Sequence, residues 1–178
     1  GLGFGHRGLA IIDVATGQHA LFNEDLRFAI AFNGEIYNYQ ELIPELQAAG
    51  HVFHTKSDTE VIVHGWEQWG EACVQRFRGM FAFALWDRNR QTLFMARDRL
   101  GVKPMFYALL DDGLLLFGSE LKSLLAYEGP GVPRGSALSR QIDPLAVEEY
   151  FALGYVAEPR TIFKGALKLE PGHMLSIR

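Results

Sequence analysis

Between Gly79 and Trp86 the sequence runs Gly-Met-Phe-Ala-Phe-Ala-Leu-Trp without one charged residue, turns at Asp87-Arg88-Asn89-Arg90 and returns through Thr92 to Ala96. A strand with one wet face alternates apolar and polar residues, whereas a run that is apolar at every position needs cover on both faces. This hairpin therefore demands layers above and below it. At 178 residues the chain can supply them as one domain that buries most of its apolar surface without staples.

The rest of the chain provides strands and helices in suitable number. Leu9 to Ile12, Arg27 to Phe32 and Met174 to Ile177 read as strands, and Met105 to Leu109 with Leu114 to Gly118 reads as a second hairpin across Asp111-Asp112-Gly113. Tyr39 to Ala49 is an amphipathic helix that ends at Gly50, with Pro44 inside it predicting a late start or a kink near Gln40. Ser57-Asp58-Thr59-Glu60 is a capping box opening a helix whose apolar face holds Val61, Ile62, Trp66 and Trp69 and which ends near Gly70. Shorter helices are expected over Cys73 to Phe77, Glu120 to Tyr127 and Pro144 to Leu153, a loop or irregular connection over Gln18 to Asp25, and a mobile loop over Gly129 to Arg140. The expected class is α+β, with helices outside and two sheets stacked inside.

The strongest chemical signal is Ala31-Phe32-Asn33-Gly34-Glu35-Ile36-Tyr37-Asn38, where an apolar run reaches Asn-Gly and an amphipathic helical pattern follows at once. If the strand ends there, Gly34 can turn sharply and expose its N–H beside the Asn33 carboxamide. Two such donors can hold the charge that develops on a carbonyl oxygen under nucleophilic attack. The plainer reading is a hairpin turn. Against it, Asn38 with Glu41 reads as an N-cap and its capping-box acid, so a helix rather than a return strand follows.

Other features narrow the function class. The formal net charge is −4 with acidic and basic residues interspersed, which argues against nucleic acid and anionic membranes as partners. No apolar run approaches the ~20 residues of a membrane span. Cys73 is the single cysteine, so an internal disulfide is excluded and a reducing, cytoplasmic compartment is expected. Inside a helical pattern, Cys73 reads as a small buried hydrophobe. The six histidines share no metal-ligand spacing, so no metal is expected in this domain. Trp66 and Trp69 read as core, and Arg97-Asp98-Arg99 as an internal ion-pair network rather than an anion site. The chain opens Gly1-Leu2-Gly3-Phe4 without an initiator Met, which reads as a fragment of a longer protein.

At Asn33-Gly34-Glu35-Ile36-Tyr37-Asn38, Ser57-Asp58-Thr59-Glu60-Val61, Gly79 to Asp87 and Ala96-Arg97-Asp98-Arg99-Leu100-Gly101-Val102-Lys103-Pro104, the sequence resembles the glutaminase (class II glutamine amidotransferase) domain of glutamine-hydrolysing asparagine synthetases. The likeness extends from about Gly5 to Arg178 and includes Ser119-Glu120-Leu121-Lys122 and Leu169-Glu170-Pro171-Gly172-His173. It implies a four-layer αββα sandwich of the N-terminal-nucleophile hydrolase type, with the first strand missing from residues 1–178. It further implies an ATP-dependent synthetase domain beyond residue 178, which would carry ATP and Mg, while the glutaminase domain itself has no cofactor. In that family an N-terminal Cys attacks the glutamine side-chain amide and ammonia passes to an activated aspartate in the second domain. By motif, Asn33 and the Gly34 N–H would form the oxyanion hole, and Gly34, Glu35 and Asp58 would lie near the substrate α-ammonium. Leu9, Ala10, Ile11 and Ile12 would line the pocket through their backbone. Read without the family, Asp58 is as well explained as an acid favoured by the helix dipole.

Two departures qualify the likeness. No Cys starts the sequence, so the chain as given should be inactive, and Cys73 has no free α-amine to act as base. Gly8 stands where family members usually carry the Arg that binds the glutamine carboxylate, with Arg7 one residue early. Adjacent strand residues face opposite ways, so Arg7 does not reach the same point without a bulge. Gly8 leaves two other readings open: a glutaminase-like domain of a β-lactam-synthetase-type paralogue that has lost its chemistry, or a non-catalytic module that packs on a partner domain. Glutamine and the synthetase domain are the expected partners, and an unpaired strand edge would favour a homo-oligomer.

Overall fold

The computed structural model describes residues 20–22, 27–127 and 138–178. The chain divides into two compact units, one made of residues 1–103 and 172–178, the other of residues 104–171. Leu9, Ala10, Ile11, Ile12 and Gly8 lie outside the described residues, as does most of the Gly129 to Arg140 loop.

The first unit holds an antiparallel sheet in the order β1-β2-β3-β4-β8, formed by Ala20–Phe22, Phe28–Ile36, Gly79–Asp87, Thr92–Arg97 and, numbered last in chain order, Met174–Ile177. Alternation divides the side chains between two faces. Phe28, Ile30, Phe32 and Ile36 of β2 join Phe81, Phe83 and Leu85 of β3 and Phe94 of β4 in one buried cluster with Leu42, Leu46, Val61, Ile62 and Trp66 from the helices. The opposite face of the same strands carries Ala29, Ala31, Ala82 and Ala84, with Ala31 directly across from Ala84. The aromatic cluster is thus packed against helices α1 (Tyr39–Ala48) and α2 (Asp58–Trp69), while the other face combines the alanines with Trp86, Leu93 and Met95. Beyond α2 a 3₁₀ turn over Gly70–Ala72 leads into α3, Cys73–Arg76. The β3–β4 hairpin is buried along nearly all its length, as its composition requires.

The second unit has its own three-stranded antiparallel sheet, order β6-β5-β7, from Phe106–Leu109 (β5), Leu115–Gly118 (β6) and Leu167–Lys168 (β7). Helices α4 (Leu121–Leu125) and α5 (Pro144–Leu153) accompany it, and Ala108, Leu124, Leu138 and Ala166 form its buried centre. Helices and sheets in both units give the expected α+β class.

Several local expectations need correction. The strand does not end at Asn33-Gly34: β2 continues to Ile36, because nine residues pair in unbroken register with β3. Residues 20–22, expected in an irregular connection, form β1 against Ala29 to Ala31. Asn38 occupies the N-cap of α1 without capping it, since its side chain binds Arg76 O at 3.0 Å and the Arg78 N–H at 2.8 Å. Pro44 does not delay the start of α1, which begins at Tyr39. Ser57 does cap α2, accepting from the Thr59 N–H at 3.2 Å, but Glu60 turns away to the N–H groups of His54 and Thr55, both at 2.7 Å.

Candidate functional site

Asn33, Gly34 and Glu35 sit in the second half of β2, each half-buried. Alternation places Asn33 and Glu35 on the same face as the alanines, with Ala82 directly across from Asn33. Gly34 has φ +142°, and a Cβ there would overlap the Met80 carbonyl oxygen. Gly79, two register steps along, is constrained in the same way by the Glu35 carbonyl. Glycine is thus required by a close strand approach, not by a turn.

The hydrogen-bonding direction of Gly34 follows from its partner. Phe81, opposite Gly34, gives its N–H to Asp98 Oδ2 (3.1 Å) and its carbonyl to the Asp98 N–H (2.7 Å), both on the β4 side. In an antiparallel ladder the residue opposite then directs its own N–H the other way, toward the β1 side. Ile36, two residues on, shares that direction, and its N–H donates to Asp58 Oδ2 at 2.9 Å. Asp58 is the first residue of α2 and is 4 % exposed. Burial pushes its pKa above the ordinary 3.8; the N–H groups of Ile36, Asp58 itself and Thr59 oppose this, and the Glu35 charge adds to the rise. The end of β2 therefore carries an outward backbone N–H at Gly34, the Asn33 carboxamide one residue before it, and the Glu35 carboxylate, which repels that of Asp58. Such a group of four can hold an oxyanion at one end and a cation at the other.

Asp98 organises the neighbouring turn. Backbone groups take a large part in the network at Arg97-Asp98-Arg99. Asp98 accepts from the N–H groups of Phe81, Leu100, Val102 and Lys103 at 3.0–3.1 Å. Arg97 donates to Lys103 O (2.8 Å) and Gly101 O (2.7 Å), and Arg99 to Phe77 O (2.7 Å). Burial works against the Asp98 charge, but the four N–H groups outweigh it and hold its pKa below 3.8.

Cys73 is fully buried, and burial pushes its thiol up to about 12, as suits a core residue rather than a nucleophile. Trp66 is core and gives its indole N–H to Asp87 Oδ2 at 3.3 Å. The histidines hold one surprise. His51, from the loop after α1, meets His64 and Glu67 of α2, although the sequence showed no ligand spacing. His64 and Glu67 share a helix face at i, i+3, which spacing could reveal; His51 comes from another segment, which spacing could not. Burial alone would lower the His64 pKa, but Glu60 and Glu67 raise it to about 9.

The family model for the glutamine amidotransferase domain matches residues 1–178. The chain belongs to the glutamine amidotransferase domain family. Its curated relatives include two glutamine-hydrolysing asparagine synthetases of Bacillus subtilis, numbered 3 and 1, at 42 % and 41 % identity over 97 % and 99 % of this chain. A putative glutamine-hydrolysing asparagine synthetase of Mycobacterium bovis is 42 % identical over the full chain. The amidotransferase domain spans about a quarter of the length of these relatives, 26–27 %. In fold it is similar to a solved allosteric regulatory enzyme of purine biosynthesis, with a TM-score of 0.53 at 20 % identity, over 90 % of this chain and 29 % of that one.

Proposed function

We propose that this domain hydrolyses the side-chain amide of glutamine and that the ammonia serves an ATP-dependent amidation of aspartate in a further region of the same protein. The observation that carries this reading is Asp58: a buried carboxylate with a raised pKa, beside Glu35 and two residues from the Gly34 N–H, is suited to an incoming ammonium. In this reading the glutamine α-ammonium neutralises the Asp58–Glu35 pair. The amide carbonyl then takes the Asn33 carboxamide and the Gly34 N–H as its oxyanion donors. The nucleophile is an N-terminal cysteine with its own α-amine as base, which the family resemblance supplies and the sequence of residues 1–178 does not contain. ATP and Mg act outside this domain, and the cytoplasm is the proposed compartment. The identity of about 42 % with glutamine-hydrolysing asparagine synthetases supports aspartate as the acceptor.

The test uses the full-length protein. Asn33→Ala should lower kcat for ammonia release roughly 10²–10³-fold with little change in KM, as loss of one oxyanion donor does. Asp58→Asn should instead raise KM for glutamine. If both variants keep wild-type kinetics, the assignment of roles falls. Gly8 favours a second reading, in which the domain no longer uses glutamine. A charge-assisted pair to the substrate carboxylate contributes roughly 1.5–3 kcal/mol. Gly8→Arg should therefore lower KM about tenfold or more if the pocket is still a glutamine site, and leave it unchanged if not.

A further inference from the structure

We propose that His51, His64 and Glu67 form a binding site for a divalent cation of the zinc type. The period of α2 stacks Glu60, His64 and Glu67 along one face, and the loop after α1 brings His51 against it. Two imidazoles then aim the same atom at one point. His64 Nδ1 lies 2.8 Å and His51 Nδ1 3.5 Å from the same oxygen, Glu67 Oε2. The three ligand atoms lie within 4.8 Å of one another.

The far nitrogen of each ring also faces an oxygen. His64 Nε2 lies 3.5 Å from Glu60 Oε1, and His51 Nε2 lies 3.1 Å from Gln68 Oε1. An oxygen near Nε2 can hold the ring proton there once Nδ1 gives up its own, which frees the Nδ1 lone pair for a ligand. Metal-bound histidines are oriented by this kind of outer partner. His64 is the key ligand because its side chain is only 3 % exposed while Nε2 is buried without a hydrogen bond, its contact with Glu60 falling short of one. A cation on Nδ1 takes the place of the proton shared with Glu67, and a small ring shift brings Nε2 onto Glu60.

Two imidazoles and a carboxylate, with metal–ligand distances of about 2.0–2.2 Å, suit Zn²⁺ with water in the fourth position. Tetrahedral donors stand roughly 3.4 Å apart at those bond lengths, so the 3.5 Å His51–Glu67 pair already fits, while the 2.8 Å His64–Glu67 pair must open and the widest separation, at most 4.8 Å, must close. Glu67 and His51, 21 % and 15 % exposed, have the freedom to do this. The site would clamp the loop that begins at His51 and leads through Ser57 into Asp58, without entering the amidotransferase chemistry itself.

The test takes the full-length protein, stripped with a chelator, and titrates it calorimetrically with ZnCl₂, with Co²⁺ as a spectroscopic probe. One equivalent should bind with a dissociation constant of about 1 μM or tighter, and Co²⁺ should give tetrahedral visible bands. His51→Ala and Glu67→Gln, both at partly exposed positions, should each weaken binding about tenfold or more. His54→Ala, on the same loop but outside the cluster, should leave it unchanged. Absence of saturable uptake would overturn the proposal, and so would uptake that survives His51→Ala and Glu67→Gln combined, since the ion would then be held elsewhere.

Discussion

Asp58 is held in a conflict between burial and charge, which a proton relieves and a bound cation would. Its pKa in the folded protein lies above 3.8, so between those two values the native state keeps a proton that the unfolded chain has lost. Stability from this residue therefore falls as pH rises from 3.8 through the folded pKa. An asparagine in place of the acid would still accept from the Ile36 N–H but carry no charge. The ligand-free Asp58→Asn variant is expected to be more stable than wild type at pH 7.5, with the gap closing below pH 3.8, as urea unfolding at the two pH values will measure. Saturating glutamine should narrow the gap at pH 7.5 by stabilising wild type, the proposed tighter binder, more than the variant. Gly34 is the second residue under constraint. Gly34→Ala forces a Cβ onto the Met80 carbonyl at a positive φ, and an overpacked site of this kind costs about 1–3 kcal/mol; an unchanged denaturation midpoint would show that the strands can part. Asp58 was legible in the sequence because its motif names it. The exposed Gly34 N–H was expected from a turn, whereas its direction in the strand depends on which way Phe81 is bonded across the ladder.

Among the elements, the turn after β4 depends most on one side chain. Asp98 gathers four N–H groups from β3 and residues 100–103, and each buried donor left without a partner costs about 1–3 kcal/mol. Asp98→Asn retains one acceptor oxygen and faces the remaining N–H groups with its own, so the loss should be at least about 2 kcal/mol at pH 7. Because the folded pKa of Asp98 is held below 3.8, its stabilisation is complete above that value and lost as pH falls through the folded one. Wild-type and variant stabilities should converge in acid; parallel curves would mean that the carboxylate charge is irrelevant. The long elements were readable because their patterns are strong: the β3–β4 and β5–β6 hairpins, α2 with its Ser57 cap, and α5 with Pro144 at its start. What escaped was decided by partners remote in sequence. Asn33-Gly34 carries the local signature of a turn, yet pairing with Ala82 and Phe81 draws it into a strand. Asn38 carries the signature of a cap, yet Arg76 and Arg78, about forty residues away, take its side chain. β1 and β7, three and two residues long, are too short to show any period.

At the scale of the whole molecule, residues 1–178 should release no ammonia from glutamine on their own. Their single thiol, Cys73, is buried with its pKa pushed up to about 12, so it does not serve as the attacking group in the proposed reaction. Turnover that survives Cys73→Ala but needs Asn33 would sink this expectation. The sheet of the first unit is also completed late. Its fifth strand, β8, pairs with β4 only after residues 98–173 have intervened, and the same returning segment gives the Arg97 N–H its acceptor, His173 O, and donates the Gly172 N–H to Asp98 O. On a ribosome adding roughly 5–20 residues per second, that interval lasts roughly 4–15 seconds. During it the nascent chain carries the apolar strand Thr92–Arg97 as a bare edge, while the contiguous residues 104–171 can fold as they emerge. The order of closure thus reverses the order along the chain, with the later unit completed first and the earlier one waiting on residues 172–178.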